Sequence, residues 1–313
     1  MAKRSKARRS PPRPGKDFHA LLRRTYESGD YQGAEAQARA RLAQQPKDGL
    51  AWKVLGAALT ALGQTEEALT AKQRAVALRP EDADAHSNLC NSLQAVGRLE
   101  EAVTHGQRAV ALAPKLAPAH NNLSLALQRL GCLEDAETAA RRALTLAPEY
   151  GEALSNLGVA LTQQGRYTEA LESHRAAVRR REDSAVAWRN LAEVLQRTGR
   201  TDEARAAFDR ALTLDPNSGP AWIGLGEWHA DRAEFDRTEA CFREAKRVQP
   251  DMPEAWASLA RLRKMTKADA PWLAEARRLL DQPARPAARA NLLFAIGKYH
   301  DDVGSYAAAI PAI

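Results

Sequence analysis

Four asparagines recur at a fixed interval of 34 residues in the middle of the chain: Asn88, Asn122, Asn156 and Asn190. A side-chain amide carries both hydrogen-bond donors and an acceptor. It can therefore bind the N–H and the C=O of a peptide backbone together, without reading the sequence of that peptide. The other interpretation is that these asparagines are consensus residues that only hydrate a groove.

The sequence contains no comparable set of residues for catalysis or metal binding. His86 and His120 also lie 34 residues apart, but ring nitrogens on successive repeats would be too far apart to share one metal ion, so we predict a packing role. Cys90, Cys132 and Cys241 fall at unrelated repeat positions and predict neither disulfides nor a zinc site. There is no phosphate-binding loop or nucleophile elbow. We predict a chain that is not an enzyme and needs no cofactor or metal.

The elements that position the asparagines follow from the same period. Prolines lie on a 34-residue spacing, with Glu182 at the one missing position: Pro46, Pro80, Pro114, Pro148, Pro216 and Pro250. A unit of this length is two short helices and two turns, here called helix A and helix B. With Gly49 as repeat position 1, Trp52, Leu55 and Leu59 form one apolar stripe of helix A. Gly63 can end that helix in a left-handed conformation, and the prolines end helix B.

Several further positions are filled in the same way in most repeats. Leucine stands at position 7, a small residue at position 8, glycine at position 15 and alanine at position 20; tryptophan stands at position 4 in Trp52, Trp188, Trp222 and Trp256. In order and spacing this pattern resembles the tetratricopeptide repeat (TPR) family over most of the chain. The resemblance implies an all-α, right-handed superhelical solenoid of about eight helix-turn-helix repeats, with the last one incomplete.

In that family helix A builds the inner, concave wall of the solenoid. Position 6 would lie on this wall, opposite the packed stripe, and positions 5 and 9 would flank it. The predicted peptide-binding residues are therefore Asn88, Asn91, Asn121, Asn122, Asn156, Arg189 and Asn190. The predicted partner is a protein or peptide.

The repeat pattern also predicts the organisation of the chain. Residues 1–14 are predicted to be a disordered basic arm, 15–48 a degenerate first repeat and 49–252 six repeats. Residues 253–289 form a divergent repeat with a stretched turn, a short helix from Trp272 to Leu280 and a further turn at 282–287. Residues 290–313 form a truncated repeat. Because no polar helix follows to cap the array, we expect a fragment of a longer protein.

The net charge of +7 equals the number of basic residues before the first acidic one, six of which lie in the N-terminal arm: Lys3, Arg4, Lys6, Arg8, Arg9, Arg13 and, just after the arm, Lys16. The arm has no aromatic residue for stacking on bases, which argues against nucleic acid as the partner. There is no apolar run long enough to span a membrane and no secretory signal, so we expect a cytoplasmic protein. The sequence gives no indication of oligomeric state.

A second resemblance concerns residues 294–306. This stretch is similar to the last repeat before the catalytic domain in bacterial proteins that join TPR repeats to a sulfotransferase. The asparagine row is similar to the one in the groove of nucleocytoplasmic O-linked N-acetylglucosamine transferases. The first hypothesis is an interaction scaffold; the alternative is a substrate-docking module of a sulfotransferase or glycosyltransferase whose catalytic domain this chain lacks. Lys298, Asp301 and Asp302 could equally be ordinary solvated residues.

Overall fold

The computed structural model describes residues 14–282 and 286–305, and every regular element in these ranges is a helix. This confirms the all-α fold class. The chain forms two compact units, with the boundary between Ala160 and Leu161.

The helices of the first unit, in chain order, are Pro14–Glu27 (α1), Tyr31–Gln44 (α2), Gly49–Ala61 (α3), Thr65–Leu78 (α4), Ala83–Ala95 (α5), Leu99–Leu112 (α6), Ala117–Leu130 (α7), Leu133–Leu146 (α8) and most of Gly151–Gln163 (α9). Odd-numbered helices are A helices and even-numbered ones are B helices. The A helices α1, α3, α5 and α7 each pack on the B helix that follows, and α5 also packs on the A helix α7 of the next repeat. Such helix pairs are typical of a TPR solenoid.

The second unit contains the end of α9 and then Tyr167–Arg180 (α10), Ala185–Arg197 (α11), Thr201–Leu214 (α12), Gly219–Ala230 (α13), Phe235–Val248 (α14), Pro253–Arg261 (α15), the 3-10 helix Lys267–Asp269, Ala270–Leu280 (α16) and Pro286–Asp302 (α17). The A helix α11 packs on α12 and on the next A helix, α13.

Glycines end the A helices at position 15, because each adopts a left-handed backbone. Gly63, Gly97 and Gly131 have φ angles of 75°, 77° and 88°. At the same position in the repeat that begins at Gly219, Ala233 has a φ of 58° and is the only non-glycine residue with positive φ among the described residues. The turn geometry is therefore kept even where the sequence does not supply the residue that suits it best.

The core of the first unit combines leucines on the A helices with alanines on the B helices. Leu89 and Leu123 pack in one cluster with Ala102 and Ala136, both completely buried. Small side chains let helix axes approach closely. Gly106 on α6 shows how close the approach is, because a Cβ there would lie 3.0 Å from a methyl carbon of Leu123.

The residue at position 4 links six of the described A helices to the turn that precedes each of them. Side-chain N–H groups of four tryptophans and two histidines lie 2.7 to 3.1 Å from the backbone carbonyl six residues earlier, at Trp52, His86, His120, Trp188, Trp222 and Trp256. His86 and His120 therefore make the same hydrogen bond through Nε2 as the tryptophans make through Nε1. Packing alone, the predicted role, does not account for them.

The C-terminal helices differ in detail from the expectation. Helix α16 begins at Ala270, two residues before the predicted Trp272, and α17 begins at Pro286, inside the predicted turn. Proline is well suited to the first position of a helix, where its missing N–H is not needed. The Asp302 carboxylate accepts a hydrogen bond of 2.7 Å from the backbone N–H of Met265 and contacts Lys298. Asp302, together with Lys298, thus links α17 to the stretched turn of the divergent repeat.

No helix in the described part of the chain is long and apolar enough to cross a membrane. The predicted arm covers residues 1–14; of these, 1–13 lie outside the described residues, as do residues 306–313 of the truncated repeat.

Candidate functional site

The asparagines of the first unit lie on successive A helices. Asn88 is on α5, Asn122 on α7 and Asn156 on α9, and all three are half-buried. The Asn88 side chain makes no hydrogen bond with the described residues. Repeat position 6 therefore keeps part of each side chain in contact with solvent.

The amide N–H groups of two asparagines join neighbouring A helices. Asn122 Nδ2 donates to Ser87 Oγ at 3.0 Å, and Asn156 Nδ2 donates to Asn121 Oδ1 at 2.9 Å. Each bond links position 6 of one repeat to position 5 of the repeat before it. These donors are partly used by the fold, whereas the Oδ1 atoms of Asn122 and Asn156 accept no hydrogen bond from the described residues.

The flanking residues predicted for this wall do not all reach the surface. Asn121 is only 6% exposed, while Asn91 on α5 is exposed. Asn121 therefore acts as the acceptor for Asn156, and Asn91 is available to a ligand.

In the second unit the position-6 asparagine is buried. Asn190 on α11 is 8% exposed, and its Oδ1 accepts a 2.8 Å hydrogen bond from Nη2 of Arg189. Arg189 also lies 3.8 Å from a carboxylate oxygen of Glu193. At the same position in the next repeat stands Gly224, where a Cβ would lie 2.4 Å from the ring of Phe208. The row of accessible asparagines does not continue on these two helices.

The second unit instead has a cavity of about 370 Å³ between α11 and α13. Its walls are formed by Glu193, Gln196 and Arg197 from α11, Ile223 and Glu227 from α13, and Met252 just before α15. Sequence reasoning did not select this cavity. Glu193 and Glu227 both occupy position 9 and are 34 residues apart, and that repetition is the signal that could have found it.

The Glu227 carboxylate is the least compensated charge of this cavity. The residue is exposed, yet the surrounding protein raises its pKa, mainly through desolvation and also through the negative charges of Glu193 and Asp231. The positive charges of Arg261 and Arg197 oppose the change. No basic side chain of the described residues forms an ion pair with it, whereas Gln196 donates to Asp231 at 3.1 Å.

A buried ammonium group also escaped the sequence analysis. Lys72 on α4 is 6% exposed and donates to Ser92 Oγ at 2.6 Å. Burial lowers the pKa of Lys72 to about 8. Gly56 leaves the space that its side chain occupies, because a Cβ there would lie 2.6 Å from Lys72 Cγ.

Within residues 14–282 and 286–305, no group of three or more His, Cys, Asp or Glu side chains could hold a metal ion.

Known proteins resemble this chain in its repeats. Sequence models described as tetratricopeptide repeat match residues 121–185 and 185–228, and one described as TPR repeat matches residues 56–97. No curated protein sequence matches the chain.

Solved structures show the same fold at low sequence identity. A chain of the APC/C hetero-tetramer Cut9-Hcn1 aligns with a TM-score of 0.69 at 17% identity, over 78% of this chain and 48% of its own length. The present chain thus spans about half the length of that protein. A tetratricopeptide repeat protein from Parabacteroides merdae aligns with a TM-score of 0.63 at 16% identity, over 79% of this chain and 97% of its own. The 34-residue period, the paired helices and these matches together show that the chain contains tetratricopeptide repeats and has the fold of such repeat proteins.

Proposed function

We propose that this chain is a protein–protein interaction scaffold and that the A helices of its first unit hold an extended peptide segment. The observation that carries the proposal is the set of half-buried asparagines on α5, α7 and α9 whose Oδ1 atoms accept no hydrogen bond from the described residues. Each oxygen is an acceptor for one backbone N–H of a ligand. Asn88 offers its donors as well.

The spacing of the helices suits an extended chain. Packed helices lie about 8 to 10 Å apart, and an extended peptide covers roughly 3.3 to 3.6 Å per residue. One asparagine would therefore meet about every third residue of the ligand. Because Asn122 and Asn156 are already held by Ser87 and Asn121, little side-chain entropy would be lost when they bind.

The proposal is tested with short random peptides selected for binding to the wild-type chain. We expect Asn88→Ala, Asn122→Ala and Asn156→Ala each to lower the affinity for the selected peptides by about two- to tenfold, as measured by fluorescence anisotropy. This is the range expected for the loss of one hydrogen bond. Asn217→Ala is the matched control, because Asn217 lies in an exposed turn of the second unit. If the triple variant binds as tightly as the wild type, or if no peptide is selected, the groove assignment is wrong.

Thermal unfolding separates binding from folding in the same variants. Asn88→Ala should leave the melting temperature unchanged, since that amide makes no hydrogen bond with the described residues. Asn122→Ala removes the bond to Ser87 and should lower stability by about 0.5 to 1.5 kcal/mol. Weaker peptide binding by Asn88→Ala would therefore reflect the lost contact with the peptide and not a loss of folding stability.

The alternative assigns the same surface to substrate docking for a sulfotransferase domain. Its support is the sequence resemblance over residues 294–306, of which residue 306 lies outside the described residues. A nucleotide-sulfate-binding loop encoded downstream of residue 313 would favour this alternative over an independent scaffold.

A further inference from the structure

The cavity between α11 and α13 combines a carboxylate that forms no ion pair with the described residues and apolar side chains beside it. Glu227 projects from the wall that also carries Ile223, and Met252 closes one side. About 370 Å³ lies at the lower end of the volumes of small-molecule sites, which is enough for one long side chain. Such a space suits a group with an apolar stem and a charged end.

The other charged groups around the cavity either interact with another side chain or are solvated by water. Glu193 lies near Arg189, Asp231 accepts from Gln196, and Arg261 donates to Ser258 Oγ at 3.0 Å. Arg197 is exposed, so water solvates its guanidinium. Glu227 is exposed as well, but its carboxylate lines the cavity, where the surrounding protein partly desolvates it. It forms no ion pair with the described residues, and a partly desolvated charge gains more from a counter-ion than a fully solvated one.

We propose that this cavity binds the guanidinium or ammonium group of an arginine or lysine side chain of a bound peptide, with Glu227 as its carboxylate partner and with Ile223 and Met252 contacting its methylene groups. The proposal rests on the proposed peptide-binding function and adds a preference for basic residues. Long basic side chains commonly bury their stems against apolar surface and keep the charge at a polar group. The guanidinium also matches the planar geometry of a carboxylate.

The test uses N-acetyl-arginine N-methylamide as the probe and NMR of the methionine methyl groups as the readout. The chain has three methionines; Met252 lines the cavity, whereas Met265 is buried in the C-terminal core. We expect the Met252 methyl signal to shift saturably while the Met265 signal stays still. The norleucine and glutamate analogues of the probe should leave both signals unchanged.

Two variants assign the effect to one carboxylate. Glu227→Gln should weaken binding of the arginine probe by about tenfold or more, the effect of losing a charged hydrogen bond. Glu172→Gln, which changes an exposed glutamate on α10, should have no effect. An unchanged Met265 signal and melting temperature show that the variants are folded.

Several results would overturn the inference. They are an unmoved Met252 signal, an equal response to the norleucine probe, binding of the glutamate probe instead, or unchanged affinity in Glu227→Gln. Asn88→Ala should not alter the response, because Asn88 lies in the first unit. Failure of the asparagine row and failure of this cavity are therefore distinguishable.

Discussion

Asn88, Asn122 and Asn190 occupy the same repeat position but differ in what their amides contact. The Asn88 amide forms no hydrogen bond with the described residues, the Asn122 amide donates to Ser87, and the Asn190 amide accepts from Arg189. The repeat therefore fixes where the side chain starts, and the neighbouring residues fix how much of it is left for a ligand. For Asn122 and Asn156 the neighbour stands at position 5 of the preceding repeat, and for Asn190 it stands at position 5 of the same repeat.

Lys72 gives a residue-scale prediction about pH. Its pKa is about 8 in the fold, against 10.5 for the ordinary group, so the unfolded chain binds the proton more tightly. Stability should therefore rise as pH increases from about 8 to 10.5, by on the order of 3 kcal/mol from this group. Urea unfolding between pH 7 and pH 10 measures the effect as the difference between the wild type and Lys72→Met.

The Lys72→Met variant should be more stable than the wild type at pH 7 and should lack the rise. Lys115→Met, which changes an exposed lysine in a turn, is the control and should follow the wild-type curve. Parallel curves for the wild type and Lys72→Met would show that the ammonium group is adequately solvated in the fold.

The sequence predicted the asparagine positions but not their hydrogen bonds. The spacing of Asn88, Asn122 and Asn156 is a property of the chain alone. Whether Asn156 reaches Asn121 depends on the relative rotation of two packed helices, which the spacing does not encode. The cavity was missed for the same reason, because Met252 meets Glu227 only after three helices have packed.

At the scale of helices, the ends are encoded locally and were therefore well predicted. Gly63 and its counterparts adopt the left-handed backbone that a helix C-terminus needs. Pro286 was misread because proline suits both a turn and the first position of a helix; the choice between these depends on the packing of α17.

Ala233 gives a prediction at this scale. An alanine with a φ of 58° is sterically strained, because its Cβ lies too close to the backbone in the left-handed region; glycine has no Cβ and avoids this strain. We expect Ala233→Gly to stabilise the chain by about 1 kcal/mol in urea unfolding.

The matched control is Ala40→Gly, in the exposed middle of α2. The same change there should destabilise by about 1 kcal/mol, because glycine is a poor helix former. If both changes destabilise, contacts made by the Ala233 methyl group outweigh the backbone strain.

At the scale of the whole molecule, the chain is a series of similar repeats, and each helix pair contacts mainly the neighbouring pairs. The stability of such an array is close to a sum over repeats and the interfaces between them. The first unit offers hydrogen-bond acceptors along several A helices, and the second offers one charged cavity. Both proposed binding surfaces lie mainly on A helices. Substitutions on these helices would therefore change which ligands bind without altering the B helices that complete the core.

The hydrogen bond from position 4 to the preceding turn has a further consequence. Leu154 occupies position 4 of the repeat that begins at Gly151, and its side chain has no N–H to donate to Pro148. Among the described A helices from α3 to α15, α9 is therefore the one without this hydrogen bond, and we expect its junction with the preceding turn to open before the others when the chain is heated or pulled. Backbone amides at 147–154 should exchange with deuterium faster than those at 113–120, and Leu154→Trp should slow the exchange at 147–154. Equal rates in the two segments would show that the position-4 hydrogen bond does not stabilise the junction.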